Sequence, residues 1–207
     1  MSKIPVFDIG DTLIPVTENI NEAVNSVLRE EGIEDPPYFP IDQFNIYRVK
    51  RIQAWLDKHD IDADPEKIHQ AYIEWKKNYF RESGRAEELR KISEEFGPIG
   101  IITDNCKEAK NCYRRILESH DIDMSGFVAS ADIGVEKPSS KIFETFLQER
   151  KESAEDFVYF GNHLQKDSGA EKVGMNFVLV TEHRNYGSAD YRPKINYLSF
   201  ESVGDQL

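Results

Sequence analysis

Beyond Pro98 the chain alternates short apolar runs with longer stretches whose apolar residues recur every three or four positions. The runs at 99–103, 127–130, 157–160, 177–180 and 197–200 predict strands, being short and rich in β-branched and aromatic residues. Between the first two, Ala109, Cys112, Tyr113, Ile116 and Leu117 fall on one side of an amphipathic helix. One more apolar run, Ile4, Val6 and Phe7, opens the chain and is broken by Gly10 and Asp11. Strands alternating with helices in this way predict βαβ units, and hence an α/β fold with a Rossmann-like, mostly parallel sheet and helices on both faces.

Residues 17–97 have a different texture, helical throughout. Ile20, Ala23, Val24, Val27 and Leu28 share a face of a first helix that Gly32 can terminate. Pro36, Pro37 and Pro40 mark a loop, and a second helical segment, about 41–58, carries Phe44, Ile52 and Trp55. A third starts with Asp64 as cap and Pro65 in its first turn, with a stripe of Ile68, Tyr72, Trp75 and Tyr79. A fourth, about 85–96, turns Ala86, Leu89, Ile92 and Phe96 inward. The chain therefore divides into an α/β core, 1–16 with 98–207, and a helical insertion, 17–97. The aromatic residues Trp55, Tyr72, Trp75 and Tyr79 are expected to serve ordinary packing. The polar stretch 184–194 suggests no role.

Composition narrows the function classes. A 39% hydrophobic content with 12 Phe and 9 Tyr in 207 residues excludes a disordered chain and suits one core with an insertion. The net charge of −12 argues against nucleic acid, which needs a basic face. A small site can still be locally positive and take an anion. No apolar run is long enough for a membrane span, and the start lacks the pattern of a signal peptide. Cys106 and Cys112, six apart and without a second pair, are expected to be reduced thiols in a cytoplasmic protein.

Candidate chemistry sits where the apolar runs end. Asp8 follows the first run, at the carboxyl end of a strand, where open α/β sheets bind ligands. A carboxylate held there can attack phosphorus and form an aspartyl phosphate. Thr103 closes a second run, Lys137 precedes Pro138 and an amphipathic helix, and Asp167 lies in a helix start after the run ending at Phe160. Singly, these read as a helix cap, an exposed lysine and a first-turn acid. A nucleophilic acid, a hydroxyl, a lysine and an acid, each at a strand end or helix start, are harder to dismiss as a set.

In this set the chain resembles the haloacid dehalogenase superfamily, most of whose members are magnesium-dependent phosphohydrolases. The first motif of that family, Asp-x-Asp-x-Thr, is matched by Asp8 and Thr12 but has Gly10 in the middle. Thr103 matches the second motif and Lys137 the third. Gly161 and Asp167 match the fourth, with Asn162 where the family has Asp. The resemblance runs from Asp8 to about Met175. It implies a type C1 helical cap in the insertion and a small phosphorylated molecule as substrate.

The roles implied are these. Asp8 attacks phosphorus in line, Thr103 donates to a phosphoryl oxygen, and Lys137 neutralises charge on the transferring group. Asn105 supports the same side. Asp8, the Gly10 carbonyl, Asn162 and Asp167 hold Mg2+, with Asp167 also steadying Lys137. Gly10 removes the acid that protonates the leaving group, an assistance worth roughly 10²–10⁴-fold. Asp11 can replace it only if the turn is remodelled. Two other readings stay open: a silent binding member, and a hydrolytic dehalogenase or phosphonatase. The phosphonatase route needs a cap lysine, for which Lys50, Lys58, Lys67, Lys76 and Lys77 are candidates.

Overall fold

A computed structural model describes residues 3–15, 18–39, 47–148 and 150–180, and the backbone of 196–197. In chain order its elements are β1 (Ile4–Phe7), α1 (Glu18–Glu30), α2 (Val49–Lys58), α3 (Pro65–Glu82), α4 (Arg85–Phe96), β2 (Ile99–Thr103), α5 (Lys107–Ser119), β3 (Met124–Ala129), α6 (Ser130–Ile133), α7 (Ser140–Leu147), β4 (Phe157–Gly161), α8 (Leu164–Asp167), β5 (Asn176–Val180) and β6 (Asn196–Tyr197). They divide into two units, Val16–Ser83 and the remainder, Met1–Pro15 with Gly84–Leu207.

The larger unit is built on a wholly parallel sheet in the order β3-β2-β1-β4-β5-β6. The chain steps outward from β1 to β3, then returns to β4 and steps the other way. Right-handed crossovers therefore place the helices of the two halves on opposite faces and open a crevice between the ends of β1 and β4. Strands covered on both faces must be apolar along their whole length. Accordingly β2 (IGIIT) and β4 (FVYFG) are buried at every position. Val6, Ile102, Ile142, Phe143, Phe146 and Phe157 belong to one core cluster, with Phe146 edge-on to Phe157 at 5.8 Å.

The outermost strand on one side, β3, begins at Met124, earlier than the apolar run announces. As an edge strand it alternates in exposure, which hides its first residues from a search for continuous apolarity. Its outer edge is met by side chains. Arg150 donates to the Ser125 carbonyl at 2.9 Å, and the Ala129 amide donates to Asp132 at 2.9 Å. Asp132 is in turn paired with Lys110 at 2.6 Å. Of the run at 197–200, Tyr197 lies in β6, whereas 198–200 and the stretch 184–194 lie outside the described residues.

The smaller unit holds α1, α2 and α3. Gly32, left-handed at φ 90°, ends the first helical turn sequence as the pattern predicts. Asp64 caps α3 by accepting from the Glu66 amide at 2.9 Å, with Pro65 at the first position. Asn21, buried on α1, exchanges two hydrogen bonds with the Phe39 backbone and fixes that loop. The buried row of α3 differs from the predicted stripe: it is Ile68, Tyr72, Lys76 and Phe80. Trp75 and Tyr79 are only half-buried and stack on each other at 5.8 Å. Lys76 takes the inward position because its ammonium lies over the rings of Tyr72 and Tyr47, at 4.7 and 5.7 Å. The segment 41–46, with Phe44, lies outside the described residues, and α2 begins at Val49.

Helix α4 groups with the sheet rather than with the helical unit. The division falls between Ser83 and Gly84, not after Gly97, because α4 packs on β1 with Leu89 and Ile92 turned inward. Cys106 and Cys112 are free thiols. Among the described residues no helix is long and apolar enough to cross a membrane.

Gly100 in β2 has no room for a side chain: a Cβ there would stand 2.4 Å from the Phe146 ring and 3.0 Å from Val6. Gly100→Ala is expected to destabilise the protein by about 1–3 kcal/mol through overpacking. Thermal unfolding reads this as a Tm lower by several degrees; an unchanged Tm would mean that Phe146 yields freely.

Candidate active site

Asp8 is the first residue after β1, and its amide donates to the Phe160 carbonyl of β4 at 2.8 Å. This bond extends the β1–β4 register, in which Phe7 pairs with Phe160, and sets Asp8 beside Gly161 and Asn162 at the point where strand order reverses. Thr103 ends β2, the neighbour on the other side. Lys137 reaches this point from the segment before α7. Its ammonium, almost wholly buried, lies 3.1 Å from Asp8 Oδ1, 2.6 Å from Asp167 Oδ1 and 3.0 Å from the Tyr159 hydroxyl. The backbone amide of Lys137 donates to Asp104 Oδ1 at 3.0 Å, and Lys166 pairs with Asp104 Oδ2 at 3.0 Å. The segments after β2 and before α7 are thus tied to each other through one carboxylate.

The remaining predicted residues fall around this ion cluster. Asn105 donates to Thr103 Oγ1 at 3.0 Å, so it orients the threonine hydroxyl. Thr12 Oγ1 donates to Asn162 Oδ1 at 3.4 Å, which joins the turn after β1 to the turn after β4. Gly10 bridges to Ile14 within the first turn. Its backbone is not left-handed; the left-handed residue is Asp11, at φ 53°. His163 caps α8, and its amide donates to Asp167 Oδ2 at 2.7 Å. Asp167 is fully buried, with one oxygen on Lys137 and the other on this amide. Its expected hold on Lys137 is thus present in the structure. Gly161 is needed for that approach, since a Cβ there would stand 2.5 Å from the Asp167 carboxyl group.

Tyr159, Thr12, Asp104 and Lys166 were not expected in these contacts. Tyr159 is the one polar tip in the otherwise apolar β4, a signal available from the sequence. Asp104 and Lys166 carried none, because their pairing depends on the fold. Of the cap lysines, Lys76 is wholly enclosed, whereas Lys50, Lys58, Lys67 and Lys77 are exposed.

Comparison with known proteins gives the family of the chain. Residues 5–180 match the family model described as haloacid dehalogenase-like hydrolase, and the chain belongs to that family. It is therefore a hydrolase of the family, with phosphatases among its relatives. One is the glyceraldehyde 3-phosphate phosphatase of Methanopyrus kandleri, 28% identical over 87% of this chain and 84% of its own. The fold is shared with a 2-haloacid dehalogenase from Pseudomonas syringae pv. tomato DC3000, at 19% identity and TM-score 0.61 over 99% of this chain and 97% of that one. It is shared also with a HAD phosphatase from Thermococcus onnurineus, at 16% identity and TM-score 0.60 over the same shares, 99% and 97%.

Electrostatics at the site follow from burial. Enclosure raises the Asp8 carboxyl to about 6; Lys137 opposes the rise and Asp167 adds to it. Burial disfavours the charged form of Lys137, yet Asp167, Asp8 and Asp104 together hold its ammonium above the ordinary lysine range. The Tyr159 hydroxyl is held far above its usual range, first by burial and then by Asp167, so it stays protonated. The Asp8 shift carries a sign for stability. A carboxyl raised above its unfolded value of 3.8 favours the fold least when ionised, so its contribution falls as pH rises from about 4 to about 6 and is level above. Relative to Asp8→Asn, the metal-free wild type is expected to lose up to about 3 kcal/mol across that window. Paired melting curves from pH 4 to 7.5 check this. A Tm difference that does not change across the window would place the Asp8 titration elsewhere.

Proposed function

We propose that this chain is a phosphohydrolase of a small phosphorylated metabolite, working through an aspartyl phosphate on Asp8 with Mg2+ as cofactor. The observation that carries the reading is the buried Asp8–Lys137–Asp167 cluster, with contacts of 3.1 and 2.6 Å, at the carboxyl ends of the parallel strands. The Methanopyrus relative, a phosphatase, adds to it.

The donor chemistry fits a hard cation. Asp8, the Gly10 carbonyl and the Asn162 amide oxygen are all oxygen donors following β1 and β4, and magnesium needs few protein carboxylates because it keeps water and takes phosphate oxygens. The charge is low: Asp8 supplies the one carboxylate, and among the described residues no cluster of three His, Cys, Asp or Glu stands ready to bind metal. When bound, the cation offsets the repulsion between Asp8 and the phosphoryl group.

The steps then balance as follows. An Asp8 oxygen attacks phosphorus as the bond to the leaving oxygen breaks, and the leaving group departs with a proton from water. Lys137 and the Thr103 hydroxyl stabilise charge on the equatorial oxygens. Water then attacks phosphorus, the acyl phosphate bond breaks, and phosphate leaves Asp8 as a carboxylate. Closure of the helical unit as a cap over the substrate belongs to this reading.

A second reading rests on Asn162 and the enclosed Asp167. With so little negative charge for a cation, displacement of halide from a haloacid by Asp8 needs no metal and no leaving-group acid. Halide release insensitive to a chelator would select it. A phosphonatase route needs an accessible lysine in the helical unit; the buried Lys76 does not meet that need, whereas the exposed Lys50, Lys58, Lys67 and Lys77 keep it open.

Asp8→Asn is expected to abolish turnover, at least 10³-fold, with the Tm at pH 7 maintained. Mass spectrometry of the wild type with Mg2+ and an aryl phosphate should show a phosphoryl adduct on Asp8. Hydrolysis undiminished in Asp8→Asn would sink the mechanism.

Gly10 supplies a second prediction. Without its acid, turnover should depend steeply on the leaving group: aryl and acyl phosphates fast, alkyl phosphates such as glyceraldehyde 3-phosphate slow. Because Gly10 is not left-handed, Gly10→Asp is expected to fold and to flatten this dependence by roughly 10²-fold or more. Equal wild-type rates on alkyl and aryl esters, with chemistry rate-limiting, would show that another group gives the proton, and Asp11→Asn would then decide.

A further inference from the structure

An ammonium group has three N–H bonds in a fixed tripod, and Lys137 directs them at three acceptors: Asp8, Asp167 and the Tyr159 hydroxyl. The two carboxylates are of the kind the motifs announce. The hydroxyl is not. Tyr159 is fully buried in β4, its ring edge-on to Phe143 at 5.2 Å, so it has no freedom to swing away. Its single proton goes to the Ile102 carbonyl at 2.9 Å, the shorter of two contacts, since Asp167 Oδ1 stands at 3.3 Å. With the proton so engaged, a lone pair of the oxygen faces Lys137. Ile102 immediately precedes Thr103, so one hydroxyl touches both the lysine and the strand end that presents the threonine.

We infer that Tyr159 is a positioning residue for Lys137, deepening the phosphohydrolase reading on which it rests. A single anchor on Asp167 would leave the amine free to pivot about that contact. A second anchor, on Tyr159, fixes both the position and the rotation of the tripod. The third N–H is then aimed at Asp8, where the phosphoryl group is to be received. When Asp8 becomes esterified its oxygen loses most of its charge, and this N–H is the one that turns to the phosphoryl oxygen while the other two stay. Burial and the neighbouring carboxylates keep Tyr159 neutral, so it remains an anchor across the working pH range.

The test is Tyr159→Phe, which keeps the ring and removes the oxygen. With an aryl phosphate and Mg2+, kcat should fall about tenfold while KM changes less than twofold. In a Lys137→Met background the same substitution should have no further effect on the residual rate, because a residue acting through the lysine loses its influence once the lysine is gone. A tenfold loss persisting in Lys137→Met would overturn the proposal, as would full activity in Tyr159→Phe. A second arm needs no turnover. The 15N-labelled lysine ammonium of Lys137, identified by its absence in Lys137→Met, should give a slowly exchanging signal in the resting wild type. In Tyr159→Phe it should exchange at least fivefold faster. An unchanged exchange rate would overturn the inference. If no phosphate ester is hydrolysed at all, the functional reading fails while the exchange measurement still decides the role of Tyr159.

Discussion

A lysine ammonium enclosed by protein is the constraint around which the larger unit is arranged. Removing it from water is costly by several kcal/mol and is offset only by close, well-aimed acceptors. Lys137 gets them from three places far apart in the chain: Asp8 after β1, Tyr159 within β4, and Asp167 in α8. Each of those positions is in turn fixed by something else. Asp8 is fixed by the Phe160 carbonyl, Asp167 by the His163 amide, and Tyr159 by Ile102. The charges that meet around Lys137 are therefore brought together by backbone hydrogen bonds of the sheet and of the turns that follow its strands.

Much of the fold was legible because burial writes itself as apolarity. Strands β1, β2, β4 and β5 are covered on both faces and appear as unbroken runs; the edge strand β3, half exposed, was readable only from Phe127 on. The insertion is announced by a change of period, whereas the structure groups α4 with the sheet. A helix on a sheet and a helix in a bundle share one periodicity, so α4 could not be assigned from pattern alone. In α3 the inward place of Lys76 was invisible, because the rings of Tyr72 and Tyr47 that its ammonium lies over are brought to it by the fold. At the candidate site, Asp8, Thr103, Lys137 and Asp167 stand out in the sequence through their positions at strand and helix ends, and the structure brings Asp8, Lys137 and Asp167 together. Asp104 and Thr12 act through partners more than 30 residues away, and a linear reading has no access to such pairs, whereas Tyr159 stood out as the one polar tip in an apolar strand.

The turn after β1 illustrates how order, not composition, decides what a loop can do. It contains a glycine and an aspartate, but the aspartate occupies the left-handed position and the glycine the ordinary one. Asp is among the few residues that tolerate such a backbone, at a modest cost. The turn therefore has no side chain at position 10, two residues beyond Asp8.

The outer edge of β3 carries a different message. A parallel sheet that stops at an exposed strand offers its free carbonyls and amides to any extended chain that drifts past. Here one of those carbonyls is already taken by the Arg150 guanidinium, whose Cζ stands over the Phe146 ring at 4.2 Å, and one of the amides is taken by Asp132. A foreign strand would have to displace both side chains before it gained those two bonds. The molecule thereby guards against sheet-to-sheet association, a matter of behaviour in a crowded solution and not of catalysis.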